Sequence, residues 1–180
     1  MSGRDTMAAR FQQVRNQTVA LTATLSAEDQ CLQSMPDASP TKWHLAHTSW
    51  FFEAMLLRPL EAGYKAYDDR FLYLFNSYYE ALGPRHPRPQ RGLLSRPGVS
   101  EVLAYRQHVD QAMQAFIAQA GNEAWATAAP LITLGINHEQ QHQELMLTDI
   151  LHAFWNNPLL PAVWPTSSES ALPGTGMDPS

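Results

Sequence analysis

Four stretches of the chain carry apolar residues at every third or fourth position, and no stretch alternates apolar with polar residues as a half-buried strand does. Helices with one apolar face bury that face by packing against each other. The pattern predicts helices over residues 6–25, 40–58, 99–120 and 123–155. It therefore predicts an all-α fold, a four-helix bundle in which a long ordered crossover loop joins the second and third helices.

Local signals mark the ends of these predicted helices. Ser39 is placed to cap the second helix, and Pro40 fits its first position, where a missing N–H costs nothing. Gly121 is a natural C-terminal stop for the third helix. Pro130 predicts a kink or break in the fourth helix, because proline removes a helical hydrogen bond.

The predicted crossover, residues 59–98, is longer than most loops in compact domains. Aromatic residues over 71–79 indicate an ordered segment, either a short helix or an extended strip. Prolines exclude regular structure over 83–91. We expect one domain over residues 1–160, followed by a Ser-, Thr-, Pro- and Gly-rich tail over 161–180 that is disordered or divergent.

The charge and the apolar content exclude several classes of partner. A net charge of −5 argues against general binding to nucleic acid or to an anionic membrane surface, which needs a basic face. No apolar run reaches the length of about 18 residues that a transmembrane helix needs, and the N-terminus lacks the apolar stretch of a signal peptide. The single cysteine, Cys31, permits no internal disulfide and suits a reducing compartment. These features predict a cytoplasmic protein.

The sharpest chemical signal is the sequence Asn137-His-Glu-Gln-Gln-His142. Because His138 and His142 lie four residues apart, both imidazoles project from one face of a helix and can reach one metal ion. The same face carries Leu131, Leu134, Leu145 and Asp149, which predicts that it points into the bundle. The alternative is a pair of structural or surface histidines that bind no metal.

The same spacing fits the zinc-protease motif His-Glu-x-x-His, in which the glutamate is the general base. The glycine and histidine of its longer form would stand at Leu145 and Thr148, so this class lacks its third ligand here. The second predicted helix offers a third ligand instead, either His44 or His47. Spacing leaves that choice open, and it leaves the metal open, since three neutral imidazoles bind zinc, iron, nickel or copper.

The crossover also contains a basic segment in an otherwise acidic chain. Its basic side chains are Arg85, His86, Arg88, Arg91 and Arg96. Guanidinium groups suit carboxylates and phosphates, although a solvated loop is an equal alternative. Asn76, Tyr78 and Tyr79, just upstream, are candidates to line the same pocket or to pack in the core.

Four separate segments, in the same order, resemble the N-terminal DinB-like domain of ergothioneine-biosynthesis sulfoxide synthases. They are residues 39–53, which contain Trp-His-Leu-Ala-His, and residues 75–80, 83–97 and 137–149. The resemblance extends over about residues 8–161. In that family, a mononuclear non-haem Fe(II) is held by three histidines.

The resemblance implies that His47, rather than His44, joins His138 and His142 as the ligands of Fe(II), with zinc or another divalent metal as the alternative. It implies O2-dependent formation of a C–S bond between hercynine and cysteine or γ-glutamylcysteine, which gives a sulfoxide.

The resemblance also implies substrate-binding positions. Gln141 is expected near the betaine group of hercynine, and Arg88 and Arg91 at the carboxylate of the thiol substrate.

The family's enzymes continue into a second domain that supplies a catalytic tyrosine, so we assign no catalytic residue in this chain, which ends at Ser180. We expect an incomplete form that is inactive or weakly active alone, with a C-terminal domain or a second copy of the chain as its partner. The alternatives are a stand-alone DinB-like metal-dependent thiol transferase and a metal-binding bundle without turnover.

Overall fold

The computed structural model describes residues 2–77 and 83–164. Within these residues the chain forms six α-helices and no strand, which confirms the all-α prediction. The helices are α1 Gly3–Thr22, α2 Thr41–Phe52, α3 Arg58–Leu60, α4 Phe71–Leu74, α5 Val99–Gln119 and α6 Asn122–Trp155.

The four longest helices, α1, α2, α5 and α6, make the predicted bundle. Both α1 and α2 pack against α5 and α6, so α1 and α2 lie across the bundle from each other. Every residue of α2 is buried, so this helix is buried on all sides rather than along one stripe. Its polar side chains must therefore find partners inside the protein.

The start of α2 differs from the prediction. Pro40 is the N-cap, and the helix begins at Thr41 without a side-chain cap. The Ser39 hydroxyl is engaged elsewhere, since it accepts a hydrogen bond of 2.9 Å from Arg91 Nη1. The first helical residues are instead bonded through the backbone, where the amide of Trp43 donates to the Pro40 carbonyl.

A single π-helical segment, Glu53–Leu57, joins α2 to α3. Glu53 is fully buried there and accepts hydrogen bonds from the hydroxyls of Tyr64, at 2.8 Å, and Tyr105, at 2.7 Å. These two bonds attach the crossover and α5 to the end of α2. They also satisfy a carboxylate that would be costly to bury alone.

The crossover packs on α2 through aromatic contacts. The indole nitrogens of Trp43 and Trp50 donate to the carbonyls of Leu74 and Leu72, both at 3.2 Å. The short helix over 71–79 is confirmed at Phe71–Leu74, whereas Tyr78 and Tyr79 lie outside the described residues. The prolines did not exclude all regular structure, because a 3-10 helix covers Arg88–Leu93 with a proline in its first turn, where no N–H is needed.

The long helix α6 runs without a break through Pro130. The predicted stop before Gly121 is confirmed, because α5 ends at Gln119 with Ala120 as its C-cap. Gly121 does not adopt a left-handed conformation there, since its φ is −59° and it serves as the N-cap of α6. Further along α6, Gly135 lies against α2. A Cβ built on Gly135 would stand 2.4 Å from Phe52 and 2.8 Å from Phe51, so only glycine permits this close approach.

The chain stays in contact with the bundle after α6 ends. Val163 is buried against Leu25, Ile150 and Phe154 in a second, smaller core, and its carbonyl accepts a hydrogen bond from Thr24. The packed part thus extends to at least residue 163, while residues 165–180 of the expected tail lie outside the described part. No helix in the described part is both long enough and apolar enough to cross a membrane.

Candidate metal centre

Three histidines from two helices converge on one point. His47 comes from α2, and His138 and His142 come from successive turns of α6. One ring nitrogen of each lies within 4.8 Å of the others, close enough for all three to hold one metal ion. The close approach of α6 to α2 at Gly135, one turn before His138, allows the two helices to share this point.

His47 contacts two indole rings. Its imidazole stacks on Trp43, with ring centroids 4.6 Å apart, and on Trp50, at 5.5 Å. Its Nδ1 lies 2.6 Å from the Phe75 carbonyl, which only accepts, so Nδ1 carries the hydrogen. The Nε2 lone pair of His47 is therefore available to a metal.

His44 lies behind His142 rather than in the cluster. Its Nδ1 is 2.9 Å from Nδ1 of His142, and its Nε2 is 3.0 Å from a carboxylate oxygen of Asp149. The cluster of three contains His47 and not His44.

His138 leaves a polar atom without a partner. Its Nδ1 is buried and makes no hydrogen bond in the described part of the chain. Buried polar atoms are rarely left unpaired, and a metal ion bound through Nδ1 would give this atom a partner. The residues present thus fit a metal site.

The three imidazoles are held in the neutral form that binds metals. Burial lowers the pKa of His138 to about 4. Burial also lowers the pKa of His47 and of His142, and each is lowered further by the neighbouring histidines. At neutral pH all three rings can therefore offer a lone pair.

The prediction that Leu134 and Leu145 point into the bundle with the histidines is wrong, because both are exposed, at 53% and 41%. The buried side of α6 is a different stripe, made of Ile132, Gly135, Ile136, Glu139, Met146, Ile150 and Phe154. His138 and His142 stand at the edge of this stripe and are only partly buried. The pair therefore faces a cleft rather than the centre of the core.

Glu139 belongs to the core and not to the cleft. Its carboxylate is fully buried and pairs with Arg15 and with Arg106, both at 2.9 Å, and accepts from the Thr18 hydroxyl at 2.6 Å. Burial alone would raise its pKa, but the charges of Arg15 and Arg106 lower it to about 2. A carboxylate held in this way cannot act as the general base of a zinc protease.

A cleft of about 430 Å³ opens over the three histidines. Three of its lining residues are the predicted substrate-binding residues, Arg88, Arg91 and Gln141. The guanidinium carbon of Arg91 lies over the Trp43 ring, 3.4 Å from its centroid. The remaining lining residues are Ser39, Trp43, His44, Ser77 and Leu145.

The other basic side chains of this segment lie elsewhere. Arg85 lines an adjoining cavity that shares Ser77, Arg88 and Arg91 with the cleft. Arg96 lines a separate cavity beside α4, and His86 bonds to the carbonyl of Gln90. Only two of the five basic side chains of this segment, Arg88 and Arg91, therefore line the cleft over the histidines.

Three histidines on facing helices of a bundle can hold a metal ion and leave some of its coordination positions open. The family model of the DinB superfamily matches residues 10–146, and the chain belongs to this superfamily. No curated protein matches the chain.

Two elements of the site were not predicted. The first is the pair of hydrogen bonds that joins His142 to His44 and His44 to Asp149. The helical spacing placed Asp149 on the same face of α6 as His142, two turns further on, but did not indicate a contact with His44. The second is the orientation of His47 by the Phe75 carbonyl. A backbone carbonyl of a crossover loop leaves no mark in the sequence.

Proposed function

We propose that this chain is the iron-binding part of a sulfoxide synthase that joins the sulfur of cysteine or γ-glutamylcysteine to hercynine. The observation that carries the proposal is the cluster of three neutral histidines beneath a cleft with two arginines on its wall. In the overall reaction a C–H and an S–H bond are lost, a C–S bond forms and sulfur gains one oxygen. One O2 is the four-electron oxidant, and its second oxygen leaves as water.

Fe(II) is the proposed metal, held by His47, His138 and His142, and it would supply the O2 chemistry that side chains cannot provide. The chain's own contribution is to hold the three imidazoles neutral and oriented. The indole rings of Trp43 and Trp50 shield His47 from water, which strengthens its interactions with a bound cation.

Arg88 and Arg91 are the proposed partners of the thiol substrate's carboxylate, because guanidinium groups pair well with carboxylates. The guanidinium of Arg91 packs on the Trp43 ring and donates a hydrogen bond to the Ser39 hydroxyl. A supported guanidinium loses little freedom when it binds an anion. Gln141, exposed beside His142, is the proposed contact for hercynine.

Metal binding is the first test of the proposal. We expect one Fe(II) per chain after anaerobic loading, and a large loss of affinity when His47, His138 or His142 is replaced by alanine, because two imidazoles leave the site underfilled. His152→Ala is the matched control, since His152 lies on the same helix but bonds to Ser34. Equal iron retention in all four variants would contradict the ligand assignment.

Substrate recognition and turnover are the second test. Cysteine should change the visible spectrum of the Co(II)-loaded protein, and Arg88→Ala or Arg91→Ala should weaken that binding, whereas Arg96→Ala should not. With Fe(II), hercynine and O2, mass spectrometry should find sulfoxide only when all components are present. Thiol transfer without O2 would instead identify a metal-dependent thiol transferase.

A further inference from the structure

A chain of hydrogen bonds leads from His142 to the start of α2. Nδ1 of His142 lies 2.9 Å from Nδ1 of His44, and Nε2 of His44 lies 3.0 Å from Asp149 Oδ2. The same oxygen of Asp149 accepts a hydrogen bond of 2.8 Å from the backbone amide of Ser39. Neither His44 nor Asp149 belongs to the cluster of three candidate ligands.

The carboxylate of Asp149 determines which atom is the donor in each of these hydrogen bonds. A carboxylate only accepts, so Nε2 of His44 carries the hydrogen that lies between them. In neutral His44 the other nitrogen, Nδ1, is then an acceptor. Nδ1 of His142 must be the donor, which leaves the lone pair of His142 on Nε2.

These hydrogen bonds also connect the two helices that carry the candidate ligands. His44 stands on α2, one turn before His47, and Asp149 stands on α6, two turns after His142. His44 is only 3% exposed, so solvent does not compete for its bonds. The ring of His142, which belongs to α6, is thus oriented by a hydrogen bond to a residue of α2.

We propose that His44 and Asp149 are positioning residues, which hold His142 in the tautomer and orientation that present Nε2 to the metal. The inference rests on the proposed metal site. His47 obtains the same tautomer from the Phe75 carbonyl, so the two ligands reach one state by different means. Partners that orient metal-bound histidines in this way typically change metal affinity by about 10- to 100-fold.

The first test measures Co(II) affinity of the full chain against a competing chelator. His44→Phe keeps an aromatic ring but removes the acceptor, and we expect its affinity to fall about 10- to 100-fold. His44→Asn restores an acceptor, its amide oxygen, and should recover most of the loss. His152→Phe removes a histidine that bonds to Ser34 outside the site, and should match the wild type.

Two affinity results would overturn the inference. One is wild-type affinity in His44→Phe. The other is an equal loss in His44→Phe and His44→Asn, with native circular dichroism and melting curves, because the loss would then come from packing at position 44 and not from the hydrogen bond.

A second measurement reads the tautomer directly, without metal. Long-range proton–nitrogen NMR of the metal-free chain should show His142 protonated on Nδ1, and a mixture of tautomers in His44→Phe. Protonation of His142 on Nε2 in the wild type would overturn the inference. If the wild-type chain binds no Co(II), the proposed function fails, while the tautomer still tests the role of His44 and Asp149.

Discussion

At the scale of single residues, neighbouring histidine and glutamate side chains on α6 serve opposite purposes. His138 lines the cleft, and its buried Nδ1 has no hydrogen-bond partner in the described chain. Glu139, the next residue, turns into the core and is satisfied by two guanidinium groups and a hydroxyl. The motif resembles a protease signature only in sequence, because its carboxylate neutralises buried charge instead of activating water.

Glu139→Gln tests the structural role of this carboxylate. The substitution keeps the size of the side chain but leaves Arg15 and Arg106 buried with less compensating charge. Breaking a buried ion pair from one side costs about 3–5 kcal/mol, and we expect urea denaturation to show a loss of that order. Glu144→Gln, at an exposed position of the same helix, should change stability by less than about 0.5 kcal/mol. A stable Glu139→Gln variant would show that the network carries little free energy.

At the scale of helices, the approach of α6 to α2 determines whether a site exists. Gly135 allows the contact, and its neighbours Phe51 and Phe52 fill the space that a side chain would need. The four long helices could be predicted because their apolar spacing is a local property. The contact at Gly135 could not, since it depends on which faces of two distant helices meet. The buried stripe of α6 was misread for the same reason.

Gly135→Ala should separate helix propensity from packing. Alanine is favoured over glycine inside a helix by about 1 kcal/mol. Here the added methyl would stand 2.4 Å from the Phe52 ring, and overpacking typically costs about 1–3 kcal/mol. We therefore expect a less stable protein that also binds Co(II) more weakly, because α6 must move away from His47.

Gly3→Ala is the matched control for this change. Gly3 lies in the first turn of α1, where a Cβ would meet no atom within 4 Å. Thermal melting should show no loss of stability for Gly3→Ala. A Gly135→Ala variant that is as stable as the wild type and keeps its metal affinity would show that α2 and α6 are not in tight contact there.

At the scale of the whole molecule, the candidate metal ligands and the buried ion pairs lie in different places. The three histidines lie where α2 meets α6. The ion pairs of Glu139 with Arg15 and Arg106 join α6 to α1 and α5. The ordered crossover covers α2 through the indole bonds of Trp43 and Trp50 and supplies the Phe75 carbonyl to His47. The choice between His44 and His47 could not be derived from spacing, because both are buried on α2. Only the positions of the crossover and of α6 distinguish His47, a candidate ligand, from His44, which bonds to a candidate ligand.

The stability of the metal-free protein should depend on pH through the three candidate ligands. Burial lowers the pKa of His138 to about 4 in the folded state, whereas an unfolded histidine has a pKa of about 6.5. The pKa values of His47 and His142 are lowered in the same direction, first by burial. Between pH 6.5 and 5 the unfolded chain therefore binds more protons than the folded chain, so the free energy of unfolding falls as the pH falls.

Urea denaturation of the chelator-treated protein from pH 7.5 to 5 measures this dependence. Each such histidine contributes a slope that approaches about 1.4 kcal/mol per pH unit. His138→Gln removes one of the three groups and should reduce the slope by one such contribution. An unchanged slope in His138→Gln would show that His138 does not take up its proton on unfolding in this range.

Because the folded imidazoles stay neutral at pH 5, saturating Zn(II) should still raise the melting temperature at that pH. A protein whose melting temperature no longer rises with Zn(II) at pH 6 would contradict the buried site.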